Sequence, residues 1–328
     1  MNKIIGIGNA LVDVLATIES DELLKEMQLP KGSMQLIDED KLQIIKTKFA
    51  EMHTHQATGG SVGNAILALA NLSMPVGLVG KVGRDSLGEF FKNNCREHGI
   101  DARLKECDSP SGVASTFISP DGERTFGTFL GAAGSMLAED LSPETFSGYD
   151  CLFVEGYLVQ NHELVLRAME LAKTAGMKVC LDLASYNIVE ADHAFISQIV
   201  DEFVDIVFAN EEEAKAFSKA DVEGALADLA CRCEVAVVKV GPHGAYIKRG
   251  NECVHVAAKE VQTVVDTTAA GDFFAAGFLY GYVQELPLDK CGRIGSELSG
   301  QVIQIVGTAL PQETWNEIKL NINTILSE

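Results

Sequence analysis

From position 151 onward, short apolar runs alternate with stretches in which apolar residues recur every third or fourth position. The runs at 151–155, 178–182, 205–208 and 235–240 are rich in Val, Ile and Phe and predict strands. The stretches near 161–175, 192–202 and 210–231 predict helices. Strands that read as continuous apolar runs, separated by helices, imply a parallel sheet covered on both faces. Ile4 to Gly8 predicts another central strand, and a strand at Val76 to Val82 with a helix at Ser86 to His98 keeps the rhythm.

Other segments break it. Ser33 to Ile37 predicts a short strand, Asp40 to Met52 an amphipathic helix and Ala102 to Glu106 another strand. Val113 to Ser119 and Arg124 to Leu130 predict strands joined by Pro120-Asp-Gly-Glu123, a good hairpin turn. This antiparallel material predicts a small lid sheet. Repeats, low-complexity segments and long linkers are absent from the sequence.

One stretch combines pattern with chemistry. Asp266-Thr-Thr-Ala-Ala-Gly-Asp272 is followed by twelve residues without a charge, Phe273 to Gln284. With Ala275, Ala276, Gly277 and Gly281, that run predicts a closely packed helix buried on all sides. It is too short to span a bilayer. The small residues before it predict a loop whose free N–H groups sit at a helix N-terminus, an arrangement that binds anions. Asp272 falls in the first turn. Taken alone, Asp272 is better explained by charge complementarity with the helix dipole, worth ~0.3–1 kcal/mol.

Composition narrows the function. At 328 residues and 47% apolar the chain can bury a large core. A formal charge of −21 argues against nucleic acid or an anionic membrane surface as partner. An anionic substrate therefore needs a locally electropositive site. The eight cysteines are scattered, and Cys231-x-Cys233 lacks a second ligand pair for zinc. Met1 to Gly8 enters a strand at once without a signal-peptide layout, so a reduced cytoplasm is the expected setting.

In parallel sheets, ligands bind beyond the carboxyl ends of the strands. Glu155, Asp182, Asn210 and Gly241 stand there. Gly59-Gly60 ends a strand, Ser61 is placed to cap the next helix, and Asn64 lies one turn in. Asp13, within the apolar stretch Ala10 to Ala16, is either a solvent-facing strand end or a carboxylate for substrate hydroxyls. Asn210-Glu-Glu-Glu213 opens a helix; Glu213 is either dipole complement or a holder of magnesium-bound waters. Gly241-Pro-His-Gly244 is a turn able to cradle phosphates, with Lys239 as a positive charge beside it. Gly6-x-Gly8 lacks the third glycine of a dinucleotide fingerprint, and no P-loop motif is present.

In this order, Gly59-Gly60 with Asn64, Asn210-x-x-Glu213, Gly241/Gly244 and Asp266-Thr-Thr-Ala-Ala-Gly-Asp272 resemble the ribokinase (PfkB) family of ATP-dependent sugar and nucleoside kinases. The resemblance covers nearly the whole chain. Within the family it is nearest to adenosine kinases, through Gly8-Asn-Ala-Leu-Val-Asp13, Met34-Gln-Leu-Ile37, Val204 to Glu211, Gly277-Phe-Leu279 and Gly307-Thr-Ala-Leu-Pro311. It implies a three-layer α/β/α fold with a mainly parallel sheet, as one domain over 1–328. The lid would come from about 14–18, 32–58 and 102–130.

The resemblance further implies that Asp272 is the general base and Ala269, Ala270 and Gly271 the anion hole. Asp13, Gly59, Gly60 and Asn64 would hold ribose-like hydroxyls, with Asn9 and Gln35 nearby and Leu130 and Tyr157 against a base or sugar. Asn210, Lys239, Gly241 and Gly244 would serve ATP, and Glu213 would serve Mg2+. Asp266 and Thr268, with carbonyls near Gly307, resemble a monovalent-cation site for K+. Two departures stand out. The anion hole reads Ala-Ala-Gly-Asp, as in ribokinases, where adenosine kinases usually have Gly-Ala-Gly-Asp, and Lys239 replaces a common threonine or serine. The expected protein is a monomeric or homodimeric kinase for a nucleoside, or for a sugar of the ribokinase or fructokinase type. A non-catalytic ligand sensor would need neither Asp272 nor Glu213.

Overall fold

The computed structural model describes residues 3–328. Met1 and Asn2, part of the predicted leaderless start, lie outside the described residues. In chain order the strands are β1 (Ile4–Ile7), β2 (Leu11–Thr17), β3 (Met34–Leu36), β4 (Thr54–Gly59), β5 (Val76–Gly83), β6 (Asp101–Cys107) and β7 (Gly112–Ile118). They continue with β8 (Arg124–Phe129), β9 (Cys151–Glu155), β10 (Lys178–Asp182), β11 (Ile206–Asn210), β12 (Val235–Lys239), β13 (Ala245–Arg249) and β14 (Glu252–Val256).

Nine of these form one sheet, ordered β14-β13-β12-β11-β10-β9-β1-β5-β6. It is parallel from β12 to β6, and antiparallel only at the β12-β13-β14 edge. Successive strand residues serve opposite layers, as a pleated sheet requires. Phe153, Val235 and Val237 pack in one core, which the helices Ser61–Asn71, Ala270–Tyr282, Leu288–Val302 and Gln312–Ser327 complete. Leu152, Val154, Ala236 and Val238 face the other, against the helices His162–Thr174, His193–Glu202, Glu211–Ser218 and Val222–Arg232.

The long helix predicted over 210–231 is two helices. Lys219 adopts a left-handed φ of 54° after the first, and the Asp221 carboxylate caps the second. The uncharged run is the Ala270–Tyr282 helix, and its small residues permit close approach. A Cβ on Gly277 would lie 2.5 Å from the Ile294 carbonyl oxygen.

A second, five-stranded sheet, β3-β8-β7-β2-β4, folds over one end of the first. It is the lid material read from the hairpin, with one correction. Asp101–Cys107, placed by the sequence in the lid span 102–130, is the parallel edge strand of the large sheet beside β5. Its residues are exposed or half-buried throughout, as an edge strand's are, and nothing in its short sequence says which sheet it joins. The lid sheet is also mixed, since β2 and β7 run parallel.

Candidate active site

The carboxyl ends of β1, β9, β10, β11 and β12 meet the first turns of the Ser61–Asn71 and Ala270–Tyr282 helices. Asp272 stands in that first turn of the second helix. Its Oδ1 accepts the Ser61 hydroxyl at 2.8 Å and its Oδ2 accepts the Asn64 amide at 2.9 Å. Ser61 is therefore not the expected cap. Gly60 occupies the cap position at φ 86°, because a Cβ there would lie 2.3 Å from the Asn9 carbonyl oxygen. The freed Ser61 hydroxyl reaches Asp272 instead. Asn64 Oδ1 is buried without a partner, so a hydroxyl donated by a bound molecule would satisfy it. Burial pushes the Asp272 carboxyl up to about 6, against the pull of Asn64, Ser61 and Lys239. Desolvation outweighs the helix dipole, which alone would hold it low.

Ala269 precedes this helix in the left-handed region, at φ 61°. That conformation costs a residue with a Cβ ~1–2 kcal/mol. It turns the Ala270 N–H back onto the Thr267 carbonyl at 3.2 Å, so Ala270 is the one member of the expected anion hole with a committed amide. The Gly271 and Asp272 amides find no backbone acceptor. Lys239, at the end of β12, reaches this floor. Its Nζ lies 3.0 Å from Asp182 Oδ2, and a Cβ on Gly271 would come within 2.9 Å of it.

On the lid side Asp13 lies inside β2, flanked by Ala57 and Ala114, and not at a strand end. Its carboxylate packs where a Cβ on Gly59 would sit, 2.4 Å from Oδ1. Burial pushes Asp13 up to about 7, opposed by Arg124. The Asn9 amide donates to Glu155 Oε1 at 2.6 Å, and the Asn9 and Val62 N–H groups also donate to this carboxylate. Glu155 is thus a fixing point for Asn9 and for the Ser61 helix. Its position at a strand end was the only sequence signal for it. Burial pushes it up to about 7 despite these donors.

A cavity of about 820 Å³ opens here between lid and body. Asn9, Gly60, Leu130 and Tyr157 line it, together with Met136 and Ile188, whereas Asp13, Gly59, Asn64 and Asp272 are not among its lining residues. Ile188 comes from the short helix Tyr186–Ala191. Gln35 is not brought to the cavity. Met34 and Leu36 line it instead, as strand alternation requires, while the Gln35 amide donates to Ser33 Oγ at 3.3 Å.

On the opposite side Asn210 and Glu213 cap one helix reciprocally: Asn210 N–H donates to Glu213 Oε2 at 2.8 Å, and Glu213 N–H to Asn210 Oδ1 at 2.8 Å. Burial, with Asp182 beside it, pushes Glu213 up to about 7. Among the described residues no three His, Cys, Asp or Glu side chains group to hold a metal directly. Glu213 keeps lone pairs for waters of a hydrated cation, which fits Mg2+ carried on a nucleotide. Gly241 adopts φ 54° with open space around its Cα. Gly244 is needed for packing, since a Cβ there would lie 1.9 Å from the Val256 carbonyl oxygen.

Asp266 does not fit a monovalent cation. Its carboxylate accepts the Thr268 N–H and the Gly307 N–H, each at 3.0 Å, and pairs with Arg124 Nη1 at 2.8 Å. The guanidinium brings a full positive charge to the oxygen that K+ would need. Thr268 contributes an amide to this cluster. Sequence reasoning missed Arg124, whose only signal was its place at the foot of a lid hairpin. Its Nη2 is buried without a partner.

The profile of the pfkB family carbohydrate kinases matches residues 34–315. An adenosine kinase of Schizophyllum commune is 29% identical, over 97% of this chain and 98% of its own length. An uncharacterized sugar kinase of Archaeoglobus fulgidus is 27% identical, over 74% of this chain and 96% of its own. Among solved structures, adenosine kinase from Sinorhizobium meliloti superposes with a TM-score of 0.88 at 32% identity, covering 98% of this chain and 99% of that one. A probable sugar kinase from Rhizobium etli CFN 42 gives the same score and identity, covering 98% of both chains.

Proposed function

Given that the chain belongs to the pfkB family of carbohydrate kinases, with the ribokinase-like fold of its structural neighbours, we propose that it moves the γ-phosphoryl of ATP to the primary hydroxyl of an adenosine-like nucleoside. The observation that carries the choice of acceptor is the cavity. At about 820 Å³ it extends beyond Asn9 into a slot walled by Leu130, Met136, Tyr157 and Ile188. Its apolar side chains suit the faces of a base, and Gln160, Asn161, His162 and Asn187 on the same wall offer polar groups to the base's edge. The structural relative named adenosine kinase supports the same acceptor. Asp13 and the unpartnered Asn64 Oδ1 would take the ribose hydroxyls, and Glu155 would keep Asn9 in place.

Asp272 would orient the acceptor hydroxyl in line with the γ-phosphorus. The new bond forms from that oxygen to phosphorus, the bond to the bridging oxygen of ADP breaks, and the proton passes to Asp272. In a loose transition state the proton leaves late, so a base near 6 suffices. The outward amides of Gly271 and Asp272 would stabilise charge on the phosphoryl oxygens without reorganising. Mg2+, held through waters near Glu213, would neutralise phosphate charge. The lid, closed over one end of the large sheet, would exclude water.

A free-sugar acceptor is the second reading. The Ala269-Ala270-Gly271-Asp272 wording, which resembles ribokinases, and the relatives named sugar kinases favour it. ADP release with Mg-ATP and a panel of adenosine, inosine, ribose and fructose separates the two. Turnover confined to the free sugars would overturn the nucleoside reading.

A further inference from the structure

Lys239 ends β12, and its side chain is held in place at the floor of the site. Asp182, its partner, is 5% exposed at the end of β10. The Asp182 carboxylate is aimed by its own turn: Oδ1 accepts the Ala184 N–H at 2.9 Å, leaving Oδ2 for the lysine at 3.0 Å. Ala184 adopts a left-handed φ of 63° to make this turn. Strain of that kind in a residue with a Cβ persists only where the surroundings enforce it. Here Gly156 packs so tightly below that a Cβ on it would lie 2.2 Å from the Asp182 carbonyl oxygen.

The ammonium has three N–H donors, and Asp182 takes the one hydrogen bond it makes. Its Nζ sits against Gly271, whose outward amide belongs to the anion-binding turn. Burial works against its charge, but Asp182, Glu213 and Asp272 outweigh it, so the lysine stays protonated. A charge that served only to neutralise Asp182 would not need to lie against that glycine with donors to spare.

We propose that Lys239 is a catalytic residue whose ammonium follows the γ-phosphoryl group through transfer, and that Asp182 is the positioning residue that holds it there. The proposal rests on the kinase reading above. Lys239 gives up no proton. Its spare donors stabilise the equatorial phosphoryl oxygens while the bond to the bridging oxygen breaks and the bond to the acceptor oxygen forms.

Three variants test it: Asp182→Asn, Lys239→Met and the double Asp182→Asn/Lys239→Met. The double variant removes both charges together and leaves no unpaired buried ion. The proposal expects kcat in the double variant to fall about 100-fold, as in Lys239→Met, with the acceptor KM nearly unchanged. Asp182→Asn, which frees the lysine without removing it, should lose about 10-fold in kcat. Turnover by the double variant within threefold of the parent would show mere neutralisation and overturn the proposal. Calorimetric titration with β,γ-imido-ATP and with ADP adds an arm that needs no acceptor. The double variant should lose the parent's preference for the triphosphate, and an unchanged preference overturns the proposal. If the parent turns over none of the acceptor panel, the acceptor reading fails and this second arm still decides.

Discussion

The Ser61 hydroxyl donates to Asp272 Oδ1 at 2.8 Å across a sequence separation of 211 residues. With Asn64 on the other oxygen, the carboxylate is held by two neutral donors. Removing the carboxylate and removing one holder should therefore have different signatures. Asp272→Asn should leave the circular dichroism spectrum and Tm near those of the parent and lower kcat by about 10²–10⁴-fold. Ser61→Ala should retain most of kcat at pH 8 while its acid limb moves to higher pH, because Ser61 helps to hold the Asp272 carboxyl down.

The pH dependence has a fixed sign. In the proposed role Asp272 must be ionised to accept the hydroxyl proton, and its carboxyl lies up at about 6. A profile of kcat/KM should thus rise with pH through about 6 and level above about 7. A limb nearer pH 4 would mean that the carboxylate is solvated in the working enzyme.

If Asp13 holds the acceptor as proposed, its titration couples stability to acceptor binding. Its folded pKa lies at about 7, above the ordinary 3.8. The stabilisation from this raised value is fully present below the ordinary value and is lost as pH rises through about 7. Asp13→Asn should therefore raise Tm at pH 8, by about 2–4 °C for each kcal/mol recovered, and change it little at pH 4. The same variant should raise the acceptor KM, since the carboxylate for the hydroxyls is gone. Thermal scans at the two pH values check the first effect and acceptor titrations the second.

Arg124 links lid to body through Asp266 at 2.8 Å, both side chains being nearly inaccessible. Arg124→Met leaves the buried Asp266 carboxylate with two backbone donors but no counter-charge, at a cost of up to about 3–5 kcal/mol. Hydrogen exchange should speed up in the β7–β8 hairpin, and ATP hydrolysis without acceptor should rise. Replacing K+ by choline should change parental turnover less than about twofold, since the guanidinium already neutralises Asp266. In Arg124→Met the same replacement should become costly. A strong K+ requirement in the parent would refute this account of Asp266.

Much of the body was legible because burial on both faces forces continuous apolar strands, and because Phe273 to Gln284 is too uncharged for any exposed helix. The lid was less so. β3 has three residues, too few to fix which of Met34, Gln35 and Leu36 faces inward, and the choice of Gln35 fell on the wrong face. β6 was misplaced because it directly precedes the lid hairpin in the chain and its pairing with β5 leaves no mark in its sequence. Ser61, Glu155 and Arg124 act through partners more than 90 residues away in sequence, so no local pattern reports them. Asp272, Asn64 and Lys239 could be picked out as candidates because small residues or strand ends beside them allow close backbone approach, and the structure places them near one another.

The separations of 208 and 211 residues between Asp272 and its two holders have a kinetic consequence. Neither helix can form this contact until the strands between them have paired in order, and pairings so distant are slow. On dilution from denaturant, ellipticity at 222 nm should recover well before phosphotransfer does. Recovery in that order would mean that helical, compact forms precede the assembled site.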